Sequence, residues 1–147
     1  MTLAQSHWIH GNSLQIEYPE RVEEVWRCGF YARVKGEPGS ENWLHLAVPT
    51  PAVMDTDPMR INTVMVRFRT GSPDVYVRAV VVYDGEKRIA SHEDIRLAPT
   101  HWTTERLDVP GDPRVSCGIC VSLCVDFGVR AADHNIEVSG AGAEFLP

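Results

Sequence analysis

Apolar and polar residues alternate with a period of two along most of this chain, the signature of strands with one face buried. Between Arg60 and Thr70, Val64, Val66 and Phe68 point one way, and Thr63, Arg67 and Arg69 the other. Over Cys117–Phe127 the residues Ile119, Val121, Leu123, Val125 and Phe127 form one apolar face. The same count puts Trp26, Cys28, Phe30, Ala32 and Val34 on one face of a strand, with Arg27 and Arg33 on the other. Val75–Tyr83 is the most strand-like segment; Asp84-Gly85 then leads into Arg88–Ser91, a hairpin signal because both residues tolerate positive φ. Trp43–Val48 is a further strand, closed by Pro49-Thr50-Pro51 because proline lacks the ladder donor. His101–Val109, Ile136–Val138, Ala141–Phe145 and two short strands at Trp8–His10 and Leu14–Glu17 complete the pattern. Only Pro19–Trp26 offers a helical alternative, with acids in its first turn and Val22, Val25 and Trp26 at helical spacing.

Eight to ten short strands joined by Gly and Pro turns, with no long helical pattern between them, predict an all-β fold. The expected form is a single antiparallel β-sandwich domain over residues 1–147, jelly-roll-like, with a small β-barrel as the alternative. Composition strengthens this reading. The 147 residues include 18 Val and 7 Ile against 8 Leu, and β-branched side chains suit a pleated sheet better than a helix.

Charge removes some function classes. A formal net charge of −6 argues against non-specific nucleic-acid binding, which depends on Lys and Arg neutralising phosphates. The charge is uneven: Arg60, Arg67, Arg69, Arg78, Lys87 and Arg88 outnumber Asp74, Asp84 and Glu86 between residues 60 and 88, while the chain from Asp108 onward is acidic. These are expected to be solvated strand faces, with a basic strip for an anionic ligand as the sharper reading. No apolar run approaches the roughly 18 residues of a membrane-spanning helix. Met1–His7 has neither the positive nor the apolar region of a signal peptide, so the expected location is cytoplasmic, with Cys28, Cys117, Cys120 and Cys124 as reduced thiols.

Two constellations could carry chemistry. Cys117-Gly118-Ile119-Cys120 has zinc-like C-x₂-C spacing. On a strand rising about 3.3 Å per residue, however, Cys120 and Cys124 stand about 13 Å apart and Cys117 projects oppositely, so ordinary buried or half-buried thiols are expected. The second constellation pairs tryptophan with histidine: Trp8 with His10, Trp43 with His45, and His101 with Trp102. The first two pairs each share a strand face and the third straddles one. Trp in the core with His at an edge explains them most simply. As a site, these six residues would line a sugar-stacking surface or a small-ligand pocket, and His10, His45 and His101 could converge on a metal.

Other signals are weaker. No H-x-H pair is present, which argues against a metal-dependent cupin, and the motifs G-x-S-x-G, H-E-x-x-H, the P-loop and G-x-G-x-x-G are absent. No cofactor is expected. Asp55-Thr56-Asp57, with Asp84 and Asp133 in other turns, is the nearest approach to a calcium site, and turn formation explains these residues as well. Trp8-Ile9-His10-Gly11, Trp43-Leu44-His45, Arg69-Thr70-Gly71-Ser72 and Val82-Tyr83-Asp84-Gly85 together resemble a family of small bacterial single-domain β-sandwich proteins of unassigned function. The resemblance implies a fold and a bacterial setting and supplies no catalytic residue.

The expected function is a non-enzymatic binding or assembly module recognising a small molecule, a glycan or a protein partner. A homo-oligomer could form through its edge strands. The alternatives are a motif-poor enzyme of cyclase or isomerase type with a Trp/His-lined pocket, and a metal-binding protein using His or Cys.

Overall fold

The computed structural model describes residues 4–51, 58–130 and 133–147. Among these described residues eleven strands follow in chain order: β1 (Gln5–His10), β2 (Gln15–Ile16), β3 (Val22–Arg27), β4 (Ala32–Gly36), β5 (Glu41–Val48), β6 (Arg60–Thr70), β7 (Tyr76–Asp84), β8 (Lys87–His92), β9 (Thr103–Asp108), β10 (Ile119–Asp126) and β11 (Asn135–Leu146). They form two antiparallel sheets that stay separate, a sandwich and not a closed barrel. One sheet runs β3-β4-β11-β6-β9, with β1 on the same edge of β11 as β4; the other runs β2-β5-β10-β7-β8.

The inward residues follow the alternation. Val64, Val66, Phe68, Ile136, Val138, Ala141, Ala143 and Phe145 from one sheet meet Leu44, Leu46, Val80, Val82, Val121, Leu123 and Val125 from the other in a single core. Each of these strands presents its intervening residues to the outer face of its sheet.

Several elements depart from expectation. Pro19–Trp26 is not an α-helix: a short 3₁₀ turn at Pro19–Arg21 passes directly into β3. The residues expected to make one strand from Trp26 to Val34 are instead a hairpin. The chain reverses through Cys28–Tyr31, where the Cys28 N–H donates to the Tyr31 carbonyl at 3.0 Å, and Trp26 then lies directly opposite Arg33. Counting straight through the reversal put Trp26 on the wrong face. The hairpin after β7 turns on Gly85-Glu86, one residue later than expected, with Gly85 at φ +60°. Ile136–Val138 and Ala141–Phe145 merge into the single strand β11, whose register slips between Val138 and Gly140. The Asp55-Thr56-Asp57 cluster lies outside the described residues.

Candidate functional site

On the outer face of the six-stranded sheet a charged row crosses three strands. Glu137 on β11 stands opposite Arg33 on β4 and Arg69 on β6. Arg33 donates to the Glu137 carboxylate from Nε at 3.0 Å and Nη2 at 2.9 Å, and Arg69 Nε donates at 2.6 Å. Burial opposes ionisation of Glu137, but the hydrogen bonds from Arg69 and Arg33 outweigh it and hold its pKa below the ordinary carboxylate value. Two guanidiniums around one carboxylate leave the row positive.

Aromatic rings cover this row. The Arg33 guanidinium lies 4.9 Å from the Trp26 ring centre and 5.5 Å from that of Tyr31; Arg69 and Arg67 lie 4.5 and 5.9 Å from Trp102. Tyr31 is the hub. Its ring meets Trp26 edge-on at 6.3 Å, Phe30 edge-on at 4.7 Å and Trp102 at 6.0 Å, and its hydroxyl accepts from Arg33 Nη2 at 3.0 Å. Tyr31 itself is buried, whereas Trp26 is 50% and Phe30 63% exposed, large apolar rings left facing solvent.

The turn that carries Phe30 and Tyr31 is tied down from beneath. Asn12 Nδ2 donates to the Cys28 carbonyl, and Arg27 clamps the carbonyls of Asn12 at 2.6 Å and Leu14 at 3.0 Å. Farther along β11 the same face reaches Trp8 on β1. A Cβ on Gly142 would lie 2.7 Å from Trp8 Cδ2, so the indole lies across the backbone of β11 at a position only glycine leaves open. At Gly140 a Cβ would likewise lie 2.9 Å from the Ile9 carbonyl oxygen, so β1 packs against glycine at both positions. Trp8, Ile9, His10, Arg67, Ser139 and Gly140 line a shallow depression of about 290 Å³.

The outer face of the five-stranded sheet is built differently. His45 on β5 and Ser122 on β10 are cross-strand partners, and His45 Nδ1 is 2.7 Å from Ser122 Oγ. His45 Nε2 is 2.9 Å from Glu17 Oε1, and Cys120 Sγ is 3.8 Å from Ser122 Oγ. Asn42, fully buried, holds the segment that bears Glu17. Its Oδ1 accepts from the Tyr18 N–H at 3.0 Å and its Nδ2 donates to the Tyr18 carbonyl at 2.8 Å. Interaction with the Cys120 thiol, and after it with Glu17, outweighs burial and raises the His45 pKa; the same imidazole lowers that of Cys120 against burial. Glu17, Trp43, His45, Tyr83 and Ser122 line a depression of about 270 Å³.

The six residues expected at one site therefore divide. Trp8, His10 and Trp102 face outward from the six-stranded sheet, and Trp43 and His45 from the other, on the opposite side of the sandwich. His101 is exposed just before β9. No single Trp/His pocket collects them, and His10, His45 and His101 do not converge on a metal. Among the described residues no three His, Cys, Asp or Glu side chains group as metal ligands would. The basic stretch divides too: Arg67 and Arg69 serve the first face, while Arg78 pairs with Glu41 on the second at 2.7 Å. Asp84 accepts from the backbone N–H groups of Ser116, Cys117 and Gly118 and so organises the loop ahead of β10.

Sequence reasoning missed Trp26, Phe30, Tyr31, Arg33 and Glu137 at the first face, and Glu17 and Ser122 at the second; Cys120, singled out by its C-x₂-C spacing, joins the second face beside Ser122. A turn placed at Gly29 would have put Trp26 beside Arg33. The partners of Glu137 and Ser122 depend on long-range register, which no local pattern carries.

The fold has known counterparts. A low-affinity xylan-binding module of family CBM86 from Roseburia intestinalis superposes with a TM-score of 0.54 at 9% identity, over 98% of this chain and 96% of that one. The C-terminal CBM6 of LamC, a marine laminarinase from Zobellia galactanivorans, gives 0.53 at 10% identity over 97% and 100% of the two chains. A family 29 carbohydrate-binding module complexed with cellulohexaose gives 0.51 at 9% identity over 96% and 91%. At these identities the likeness is one of fold. No curated protein matches the chain. Residues 3–147 match the family described as "Family of unknown function (DUF6623)", and the chain belongs to that family.

Proposed function

We propose that this protein is a non-enzymatic glycan-binding module whose ligand lies along the outer face of the six-stranded sheet. The observation that carries this reading is the set of rings formed by Trp26, Tyr31 and Trp102, interleaved with Arg33, Arg67 and Arg69 on an open strand surface. One face of a pyranose ring is a sheet of C–H bonds that stacks on an aromatic ring, while its hydroxyls seek donors and acceptors in the ring's plane. Trp26 and Trp102 supply the stacking surfaces, and the guanidiniums with Glu137 supply the polar partners. The ion-pair row holds those groups in place before the ligand arrives, which reduces the ordering cost of binding. Trp8 and its depression extend the surface along β11, so an oligosaccharide suits the face better than a single sugar.

The similar modules that bind xylan and cellulohexaose support the reading. With four free thiols the module is suited to a reducing, cytoplasmic setting. Edge strand β3, with Val25 41% and Trp26 50% exposed, supports self-association as a second use of the same rim. Native affinity electrophoresis through gels containing xylan, laminarin or soluble cellulose derivative tests the main reading. Wild type is expected to be retarded by at least one polysaccharide, and Trp102→Ala to run freely. Unretarded wild type in all three gels, or retardation unchanged in Trp102→Ala, would overturn it.

A further inference from the structure

The five-stranded sheet carries chemistry that glycan binding leaves unused. Its four-residue chain runs Cys120 Sγ to Ser122 Oγ at 3.8 Å, Ser122 Oγ to His45 Nδ1 at 2.7 Å, and His45 Nε2 to Glu17 Oε1 at 2.9 Å. We propose that Cys120 is a thiol-exchange site that forms mixed disulfides with low-molecular-weight disulfides, using Ser122 and His45 as its proton path and Glu17 as the residue that orients the imidazole.

The protons and electrons balance without another reagent. Glu17 fixes the hydrogen of His45 on Nε2, which leaves Nδ1 to accept. The Cys120 proton passes by way of Ser122 to Nδ1, and the thiolate sulfur attacks one sulfur of the incoming disulfide. The Cys120–sulfur bond forms as the ligand's own S–S bond breaks. The departing thiolate takes the proton back from His45 and leaves as a free thiol.

Three observations favour this chemistry over acyl transfer or inert packing. First, β10 pairs with β5 on one edge and β7 on the other, so its backbone amides are committed to the ladders. A tetrahedral oxyanion at Cys120 would find no free backbone donors there, whereas exchange at sulfur needs none. Second, the neighbouring depression, walled by Trp43, Tyr83 and His45, provides room for the remainder of a small disulfide. Third, the other three thiols lack one requirement each. Cys117 is exposed in a loop, and its amide, not its thiol, is the group engaged, by Asp84. Cys28 donates to the Tyr31 carbonyl at 3.7 Å. Cys124 is buried, and burial pushes its pKa up to about 11, beyond use as a nucleophile. It also lies four residues along the strand from Cys120, about 13 Å, so it cannot resolve the mixed disulfide. The product is therefore an S-thiolated protein.

The groups facing Cys120 are His45 and Ala47 from β5, Glu17 beyond His45, Ser122 on its own strand, and Tyr83 with Arg88 behind it from β7 and β8. Of these, His45 is the base that the hydrogen-bond chain connects to the thiol, by way of Ser122.

Incubation of the full chain with glutathione disulfide, and in parallel with iodoacetamide, between pH 5.5 and 9 gives a rate for each cysteine by peptide mass spectrometry. At pH 6.5 Cys120 is expected to react several-fold faster than Cys117, because the imidazole reached through Ser122 takes up its proton and favours the thiolate, the attacking form. His45→Asn is expected to reduce the Cys120 rate to that of Cys117 and to move its pH profile upward. Glu17→Gln is expected to move the profile in the same direction by less. Continued protection of the buried Cys124 in each variant reports whether the fold is intact, and His45→Gln serves if the Asn variant fails that control. Faster reaction at Cys117 than at Cys120 in wild type, or a Cys120 profile unmoved by loss of the imidazole, would overturn the proposal. Either result leaves the glycan reading on the opposite face untouched.

Discussion

The two outer faces of this sandwich share one core and differ in nearly everything else. On the six-stranded sheet, rings and guanidiniums alternate over a surface open enough to receive a chain. The other sheet gathers a thiol, a hydroxyl, an imidazole and a carboxylate around a depression the size of a small molecule. The first arrangement is suited to stacking and hydrogen bonding along a chain; the second is suited to moving a proton. Inward residues of period two make both sheets from the same alphabet, so the outward set is free to diverge. Fold alone therefore says little about which face does what.

Variants can separate the faces, and the largest effect is expected on the first. Trp26→Ala combined with Trp102→Ala removes two stacking rings at about 1.5 kcal/mol each, about a 100-fold rise in Kd for the retarding polysaccharide by calorimetry. Reactivity at Cys120 should not change. If it falls, the faces are coupled and the contrast fails.

Next in size is Glu137→Gln, which leaves Arg33 and Arg69 around a neutral amide. With both arginines about one-third exposed, a loss of about 2 kcal/mol by urea unfolding at pH 7 is expected. The sign with pH follows from the lowered pKa of Glu137. Its contribution is present above the unfolded carboxylate value of about 4.3 and is lost as pH falls through the lower folded value. The gap between wild type and variant should thus narrow between pH 5 and pH 2. A gap that holds constant would show that Glu137 acts by packing and not by charge.

Gly142→Ala is expected to cost about 1–2 kcal/mol in thermal unfolding, since its Cβ would meet Trp8 Cδ2 at 2.7 Å. Gly118→Ala, where a Cβ meets nothing within 4 Å, serves as the near-neutral control. Smallest of all is Glu17→Gln. The His45 pKa is raised, so its contribution to stability is complete below the unfolded value of about 6.5 and is lost as pH rises through the folded one. Removing Glu17 should lower the His45 titration midpoint by NMR and cost under about 1 kcal/mol below pH 6. An unmoved midpoint would detach Glu17 from the imidazole.

Much of this could be read from one sequence, and the parts that could not share a cause. Strand β10 was legible because Ile119, Val121, Leu123 and Val125 alternate without interruption. Strands β6 and β7 were legible because Val64, Val66 and Phe68 in one, and Val80 and Val82 in the other, do so, although each of these two strands shifts register before that stretch. The pairs Trp8 with His10 and Trp43 with His45 were placed correctly within their strands for the same reason. Trp26 was misplaced because a reversal at Cys28–Tyr31 resets the parity of the count. Glu137 between two arginines, and Ser122 beside His45, are cross-strand neighbours separated by 68 to 104 residues in one case and 77 in the other. Local alternation says which face a residue occupies in its own strand, but not which strand lies next to it. The division of six expected site residues between two faces follows from that.

The four tryptophans can locate a glycan on the sandwich, because Trp8, Trp26 and Trp102 belong to one face and Trp43 to the other. Each indole N–H gives its own resolved signal in a ¹⁵N–¹H spectrum, so xylohexaose, laminarihexaose and cellohexaose can be titrated in turn. At least one oligosaccharide is expected to shift the Trp26 and Trp102 indoles, with a smaller shift at Trp8, and to leave Trp43 unmoved. Movement of Trp43 alone, or of none of the four with all three oligosaccharides, would contradict the glycan reading.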